Sequence, residues 1–193
     1  MRHVVLVCVA IFPLLVCSGI VYTILSLYMA DLGFKKSQIG LLYTVGALAG
    51  AIASPLFGRL ADRIGRKPVL LGAMSAFVLV FSGFAFVAKA EHMFLVMLLE
   101  GTAWGAMGTS ANALVADLVP QEKRGAALGV YNTAWNLGWI IGPVTGGMLS
   151  DVFGFRKTFL LAAAFIVCGV LLGLGLLPSE KGLSTSEQAD EPF

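Results

Sequence analysis

Long apolar stretches alternate with short polar ones along almost the whole chain. Six of them predict helices long enough to cross a bilayer: Val4–Tyr28, Ile39–Gly58, Val69–Ala88, Met93–Ala116, Ala126–Ser150 and Thr158–Leu177. A crossing helix needs about 20 mostly apolar residues. Of these six stretches, the fourth alone carries a charge, at Glu100. The first could be taken for a secretory leader, because Arg2 and His3 precede an apolar run. That run continues past Gly19 to Tyr28 with no small-x-small cleavage site, and Leu14–Cys17 lacks the small residue that a lipoprotein site wants before its cysteine. It reads as a true span.

Composition agrees with this pattern. Hydrophobic residues make up 58% of the 193 and charged residues 12%, whereas a soluble domain carries about 25% charge. Net charge is +2, and the 13 lysines and arginines lie in short connections, which excludes a nucleic-acid-binding patch. Cys8, Cys17 and Cys168 fall inside apolar segments without CxxC spacing, so packing is expected of them, not metal or redox work. Both histidines, His3 and His92, lie at membrane edges. Ser110 therefore has no buried histidine base, and no phosphate-binding loop is present. No enzyme, no metal, no cofactor and no ATP-driven step is expected.

With the N-terminus in the cytoplasm, the inner loops and ends hold Arg2, Arg59, Arg63, Arg66, Lys67, Lys123, Arg124 and Lys181. The outer loops hold Lys35, Lys36, Lys89, Arg156 and Lys157. The bias places both termini in the cytoplasm. A polar, acidic tail over about 179–193 is expected to be a disordered cytoplasmic end.

The connection Gly58–Lys67 packs four cations, one acid and two glycines between two spans. Glycine permits a tight turn, and Asp62 at the lip of the hydrocarbon needs a cation or a helix N-terminus as partner. The motif recurs. Displaced by 89 residues, Gly58-x-Leu60-x-Asp62-x-x-Gly65 falls on Gly147-x-Leu149-x-Asp151-x-x-Gly154, and Gly40 falls on Gly129. Each copy closes the second helix of a three-helix unit. Three being odd, the copies face opposite sides of the membrane. Arg59, Arg63 and Arg66 accordingly become Met148, Val152 and Phe155 in the second. Inverted repeats of this kind are a transporter architecture.

Gly58–Lys67 is similar, at essentially every position, to the motif between the second and third helices of the major facilitator superfamily. Gly138–Gly147 resembles the fifth-helix motif of that family's proton-linked exporters, and Pro120–Gly125 the cytoplasmic loop before it. The resemblance spans about residues 10–177. It implies an all-α membrane protein whose six transmembrane helices form two inverted three-helix repeats, one half of a transporter of that family. The bundle is expected over 1–178, with repeats of about 4–90 and 93–178. The chain departs from the family in the fourth helix, where Met97 stands in the place of an arginine and Glu100 in that of a glutamine. It also has six spans where the family has twelve. Either it works with a second six-helix half, as a homodimer or with a separate chain, or it is a fragment.

Gly46, Gly50, Ser54 and Gly58 recur every four residues in the second helix, and Gly138, Gly142 and Gly146 in the fifth. Small residues at this spacing let helices approach closely in lipid. They serve either packing within the chain or a seam with another half, which the resemblance favours. Pro143 is expected to bend the fifth helix there. Asn132, Trp135, Asn136 and Trp139 share one face of that helix, with Asn136 ~15 Å deep at 1.5 Å per residue. Glu100 and Trp104 share a face of the fourth. A mid-membrane carboxylate costs at least ~2.5 kcal/mol and must face a cavity or partner. Glu100 is therefore expected to carry a proton, contact a cationic solute, or make a structural hydrogen bond. The tryptophans are substrate contacts or packing anchors, and Tyr22 and Ser26 are lesser candidates. The resulting expectation is secondary transport of a small solute across the cell membrane by alternating access, with proton-coupled efflux (an antiporter) implied by the resemblance. Gly58, Asp62, Arg63, Gly65, Arg66 and Lys67 would form a latch. The alternatives are a non-transporting membrane subunit and a truncated piece of a twelve-helix transporter.

Overall fold

The computed structural model describes residues 1–177; the polar tail lies outside the described residues. Six α-helices follow one another: α1 Arg2–Asp31, α2 Lys36–Ile64, α3 Arg66–Phe86, α4 Ala90–Asp117, α5 Arg124–Phe153 and α6 Phe155–Leu176. A short 3-10 turn, Gln121–Lys123, leads into α5. Helices are the form lipid favours, because they satisfy every backbone group internally. Most boundaries fall within a few residues of the hydropathy reading. Among the described residues, α1, α2, α3 and α6 are both long and apolar enough to cross a membrane. At 28 and 30 residues, α4 and α5 are also long enough; α4 carries Glu100, and α5 carries Asn132 and Asn136.

The largest difference is at the end of α2. Gly58–Ile64 is not a loop but the last two turns of the helix, and Gly58 itself has open space around it. The chain turns at a single residue, Gly65, whose φ of 102° is the left-handed region that favours glycine. Its N–H closes α2 on the carbonyl of Ala61 at 3.0 Å. Gly154, 89 residues on, has φ 76° and closes α5 on Ser150 at 2.9 Å. The repeated motif is thus a two-helix corner built on its last glycine.

Packing follows the same repeat. α1 lies mainly against α5 and α6, α4 lies mainly against α2 and α3, and α3 lies against α6. These pairings are unchanged when α1, α2 and α3 are exchanged for α4, α5 and α6. The α3–α6 pair is tied at both ends by cations in equivalent places. Lys67 Nζ donates to the carbonyls of Leu174 (3.1 Å) and Leu177 (2.6 Å), at the C-terminus of α6. Arg156 Nη2 donates to the carbonyl of Val87 (3.4 Å), which caps α3. A cation there satisfies orphan carbonyls and complements the helix dipole. Lys67→Met is expected to lower the unfolding free energy by about 1 kcal/mol, since charged hydrogen bonds contribute about 1.5–3 kcal/mol and Lys67 is partly exposed. A chemical-denaturation curve in detergent reads this directly; an unchanged midpoint would remove the tie.

Apart from Gly58, the glycines of the two stripes are taken up inside the chain. A Cβ on Gly50 would lie 2.9 Å from the Gly101 carbonyl, and one on Gly105 would lie 2.6 Å from the Gly50 carbonyl. On α5, Gly138, Gly142 and Gly146 face Leu15, Gly19 and Ile20 of α1, each with backbone 2.6–2.8 Å or so from the missing Cβ. The reading of Gly138, Gly142 and Gly146 as a seam to a second half is corrected accordingly: their bare surface is already filled by α1. Pro143 stands in the same contact, beside Gly19, inside a helix that runs unbroken to Phe153. Among the residues that α2 and α5 leave exposed are large apolar ones: Ile52 and Leu56 on one, Ile140, Val144 and Met148 on the other.

Candidate functional site

Two features stand out at different depths. The deeper is an open-sided cleft of about 410 Å³ between α1, α2 and α4, lined by Tyr22, Tyr43, Gly46, Met97, Glu100 and Trp104 among others. Gly46 and Glu100 create it together. A Cβ on Gly46 would lie 3.0 Å from Glu100 Oε2, so the missing side chain is the room the carboxylate occupies. Glu100 is 4% exposed, and its Oε1 has no hydrogen-bond partner among the described residues. A buried acceptor left unpaired is costly and calls for a donor.

Aromatic side chains wall the cleft. Trp104 Nε1 donates to the Tyr22 hydroxyl at 2.6 Å. Tyr43 shares a 3.0 Å hydrogen bond with Ser26. Trp104 packs edge-on against Phe77 at 4.8 Å between ring centroids. Trp135 reaches Trp104 at 5.3 Å, and Trp139 reaches Tyr22 at 5.9 Å. The structure therefore brings Glu100, Trp104, Trp135 and Trp139 into one connected group. It does not bring Asn132 and Asn136, which are exposed on α5. Four residues sharing a helical face need not share a neighbour, because that face is wider than one contact. Tyr43 was missed by the sequence reading. Its signal was faint: an aromatic one turn before Gly46 in an otherwise small-residue stripe.

The shallower feature is the corner at the ends of α2 and α4. Arg66 forms an ion pair with Asp62, one turn back across Gly65, and its Nε reaches Asp117 Oδ2 at 3.3 Å. Asp117 ends α4. Arg66 thus joins the first repeat to the second. The acids are about half exposed, so the attraction is weak by itself and depends on geometry. Lys67 turns away to α6, as described above, while Arg63 and Gly58 point to no partner among the described residues. Asp117 was also missed by the sequence reading, because no local period links the end of α4 to the corner between α2 and α3. At the opposite end of the bundle Phe155 replaces Arg66 and packs on Tyr28 at 5.6 Å, so the charged corner has no counterpart there.

A family model described as Major Facilitator Superfamily matches residues 7–192. The chain is 33% identical over 180 residues to the multi-drug resistance efflux pump PmrA of Streptococcus pneumoniae serotype 4, covering 88% of this chain and 45% of that one. It is 34% identical over 159 residues to the multidrug resistance protein MdtG of Proteus mirabilis, covering 79% and 39%. It is 30% identical over 180 residues to the quinolone resistance protein NorA of Staphylococcus aureus, covering 91% and 45%. The chain spans less than half the length of these curated relatives. With the six-helix bundle and its repeated corner already in view, the match over nearly the whole chain is decisive: this protein belongs to the major facilitator superfamily, a family of multi-pass membrane transporters and not of enzymes.

Proposed function

We propose that this chain is one six-helix half of a secondary transporter that moves a small solute out across the cell membrane by alternating access, with protons as the coupling ion. The observation that carries this is Glu100: a carboxylate buried at mid-membrane, with one oxygen unpaired, in a cleft large enough for a small molecule. Such groups mark ion and substrate pathways. The efflux direction rests on the printed names of the relatives. Since the chain spans 45% of PmrA, the active unit needs a second half. A second copy of this chain, a separate six-helix chain or a further half of a longer chain would supply it, docking on the exposed apolar faces of α2 and α5. The two three-helix units, of about 4–90 and 93–178, act as inverted repeats, a reading supported by the exchange-invariant packing and the paired corners at Gly65 and Gly154. Both termini lie in the cytoplasm, as the placement of cations supports. Asn132 and Asn136, exposed on α5, would face the cavity completed by the second half.

The test is flux. Purified protein is reconstituted in proteoliposomes with an imposed proton gradient, and movement of a fluorescent quinolone is followed. Uphill movement that stops when the gradient is collapsed supports the reading; no movement in vesicles holding the intact assembly overturns it. The mass of the protein in detergent, compared with 20.3 kDa for one chain, separates a homodimer from a chain awaiting a different partner.

In this reading Asp62, Arg66 and Asp117 latch one conformation, with Gly65 shaping the corner. Asp62→Asn is expected to slow flux roughly fivefold, matching a coupling of about 1 kcal/mol, while leaving the amount of protein in the membrane unchanged. Normal flux in that variant would sink the latch.

A further inference from the structure

At the end of α2 and α4 away from the Arg66 corner, the α1–α2 and α3–α4 connections come together, and two hollows meet there. The first is a polar notch of about 150 Å³, lined by Gly33, Gln38 and Lys89 among others. The second is an apolar groove of about 440 Å³ between α2 and α4, walled by Leu41, Leu42, Phe94 and Leu95, with Glu91 beside them. Phe34, Gln38 and Ala90 line both, so notch and groove are continuous. Gln38 Oε1 accepts the Lys35 N–H at 2.8 Å, which leaves both hydrogens of its amide nitrogen to be donated. Lys89 makes no ion pair among the described residues. Lys35 and Lys36 are exposed in the adjoining connection, and with Lys89 they outnumber the neighbouring acids, Asp31 and Glu91.

We infer that this groove binds an anionic phospholipid, with its phosphate in the notch and the first carbons of one acyl chain between α2 and α4. A membrane protein meets lipid on any exposed groove; the chemistry here selects which lipid. The notch offers donors and positive charge, which a phosphodiester accepts. The surplus of lysines favours a headgroup without an ammonium, because an ammonium would meet the same cations. Each lysine near a membrane surface adds to its attraction for anionic lipid, and basic pockets between helices hold such headgroups. Below the notch the wall turns apolar within about one turn. Gln38 to Leu42 spans ~6 Å at 1.5 Å per residue, the same change from polar to apolar that a lipid makes from headgroup to chain. Leu41 and Leu95 are each 62% exposed, and a chain laid between them covers both. A second transporter half is the rival occupant, but an apolar helix face would leave the lysines unmatched. The inference needs no transport and stands apart from the Glu100 cleft.

The experiment places the full chain in phosphatidylcholine nanodiscs. Each preparation carries the same small fraction of one photoreactive lipid, with a diazirine near the top of an acyl chain: phosphatidylglycerol, phosphatidylethanolamine or phosphatidylcholine. Labelled residues are mapped by mass spectrometry. Phosphatidylglycerol is expected to label 38–42 and 90–95 at least about fivefold more than either of the others, the effect of one lysine at an anionic headgroup. Lys89→Gln and Gln38→Glu should each cut that excess, while Lys89→Arg should keep it. Equal labelling by the three lipids would reduce the groove to ordinary lipid contact, and a preference for phosphatidylethanolamine would give it to Glu91; either result overturns the inference. So would a groove that no lipid labels, as when a second half covers it, or an excess that survives in both Lys89→Gln and Gln38→Glu. The comparison of lipids on the unaltered chain stands even if a variant fails to fold.

Discussion

Gly101→Ala is expected to destabilise the bundle more than any other single-methyl change. A Cβ at Gly101 would lie 1.8 Å from the Gly46 carbonyl oxygen and 2.6 Å from its carbon. No rotamer relieves such a clash, since both partners are backbone of packed helices. α2 and α4 would have to separate along the contact that also holds Gly50 and Gly105. Overpacking a tight interface costs about 1–3 kcal/mol and sometimes more; with backbone on both sides, about 3 kcal/mol is expected here. Gly108→Ala, on the same helix with nothing within 4 Å, is the control and should be neutral or mildly stabilising. Unfolding monitored by circular dichroism in detergent compares the two. Equal stability would mean that α2 and α4 do not cross at these glycines. Because Gly46 also makes room for Glu100, Gly101→Ala should disturb the cleft even where the protein survives.

Glu100→Gln is expected to have the largest effect on activity. The amide keeps the size of the carboxyl group but cannot take up or release a proton, and it offers a cation no charge. Losing a charged hydrogen bond costs about 1.5–3 kcal/mol, or roughly 10–100-fold at 1.4 kcal/mol per decade. Gradient-driven flux should fall by at least that factor. Stability should be nearly unchanged or higher, because the amide keeps the size of the carboxyl group and can never place a charge in the bundle. That opposition separates a functional carboxylate from a structural one. If Glu100 served only to hold the bundle together, the variant would melt earlier and any loss of flux would follow the loss of folded protein. Measuring both quantities on one preparation decides between the two.

The corner at Gly58–Lys67 shows how a motif legible in sequence can hide its own geometry. Gly58–Lys67 was readable as a corner with an acid needing a cation, and its recurrence at Gly147–Gly154 was visible by sliding the chain on itself. That Gly58–Ile64 stays helical was not readable, because a polar, charged stretch between two spans looks the same whether it is helix or loop. Hydropathy marks where the hydrocarbon ends, not where the helix ends. Arg66 finding Asp117 was beyond reach for a different reason: the two are far apart in sequence, and no local period connects them.

What the sequence determined alone is the class of molecule and the order of its parts. Six helices, their approximate ends, the membrane setting, the three-helix repeat and the glycine corners follow from hydropathy, length and glycine's backbone freedom, which are local and additive along the chain. The tertiary structure alone decided how each helix is rotated and what it meets. It turned Gly138, Gly142 and Gly146 of α5 towards α1, and it left Asn132 and Asn136 exposed while gathering Trp135 and Trp139 towards Tyr22 and Trp104. It also buried Glu100 against the one residue, Gly46, that leaves room for it. A 3.6-residue period names a face but not its neighbour. In lipid, where apolar side chains gain little by leaving one apolar surface for another, that choice rests on close backbone contact and a few polar groups.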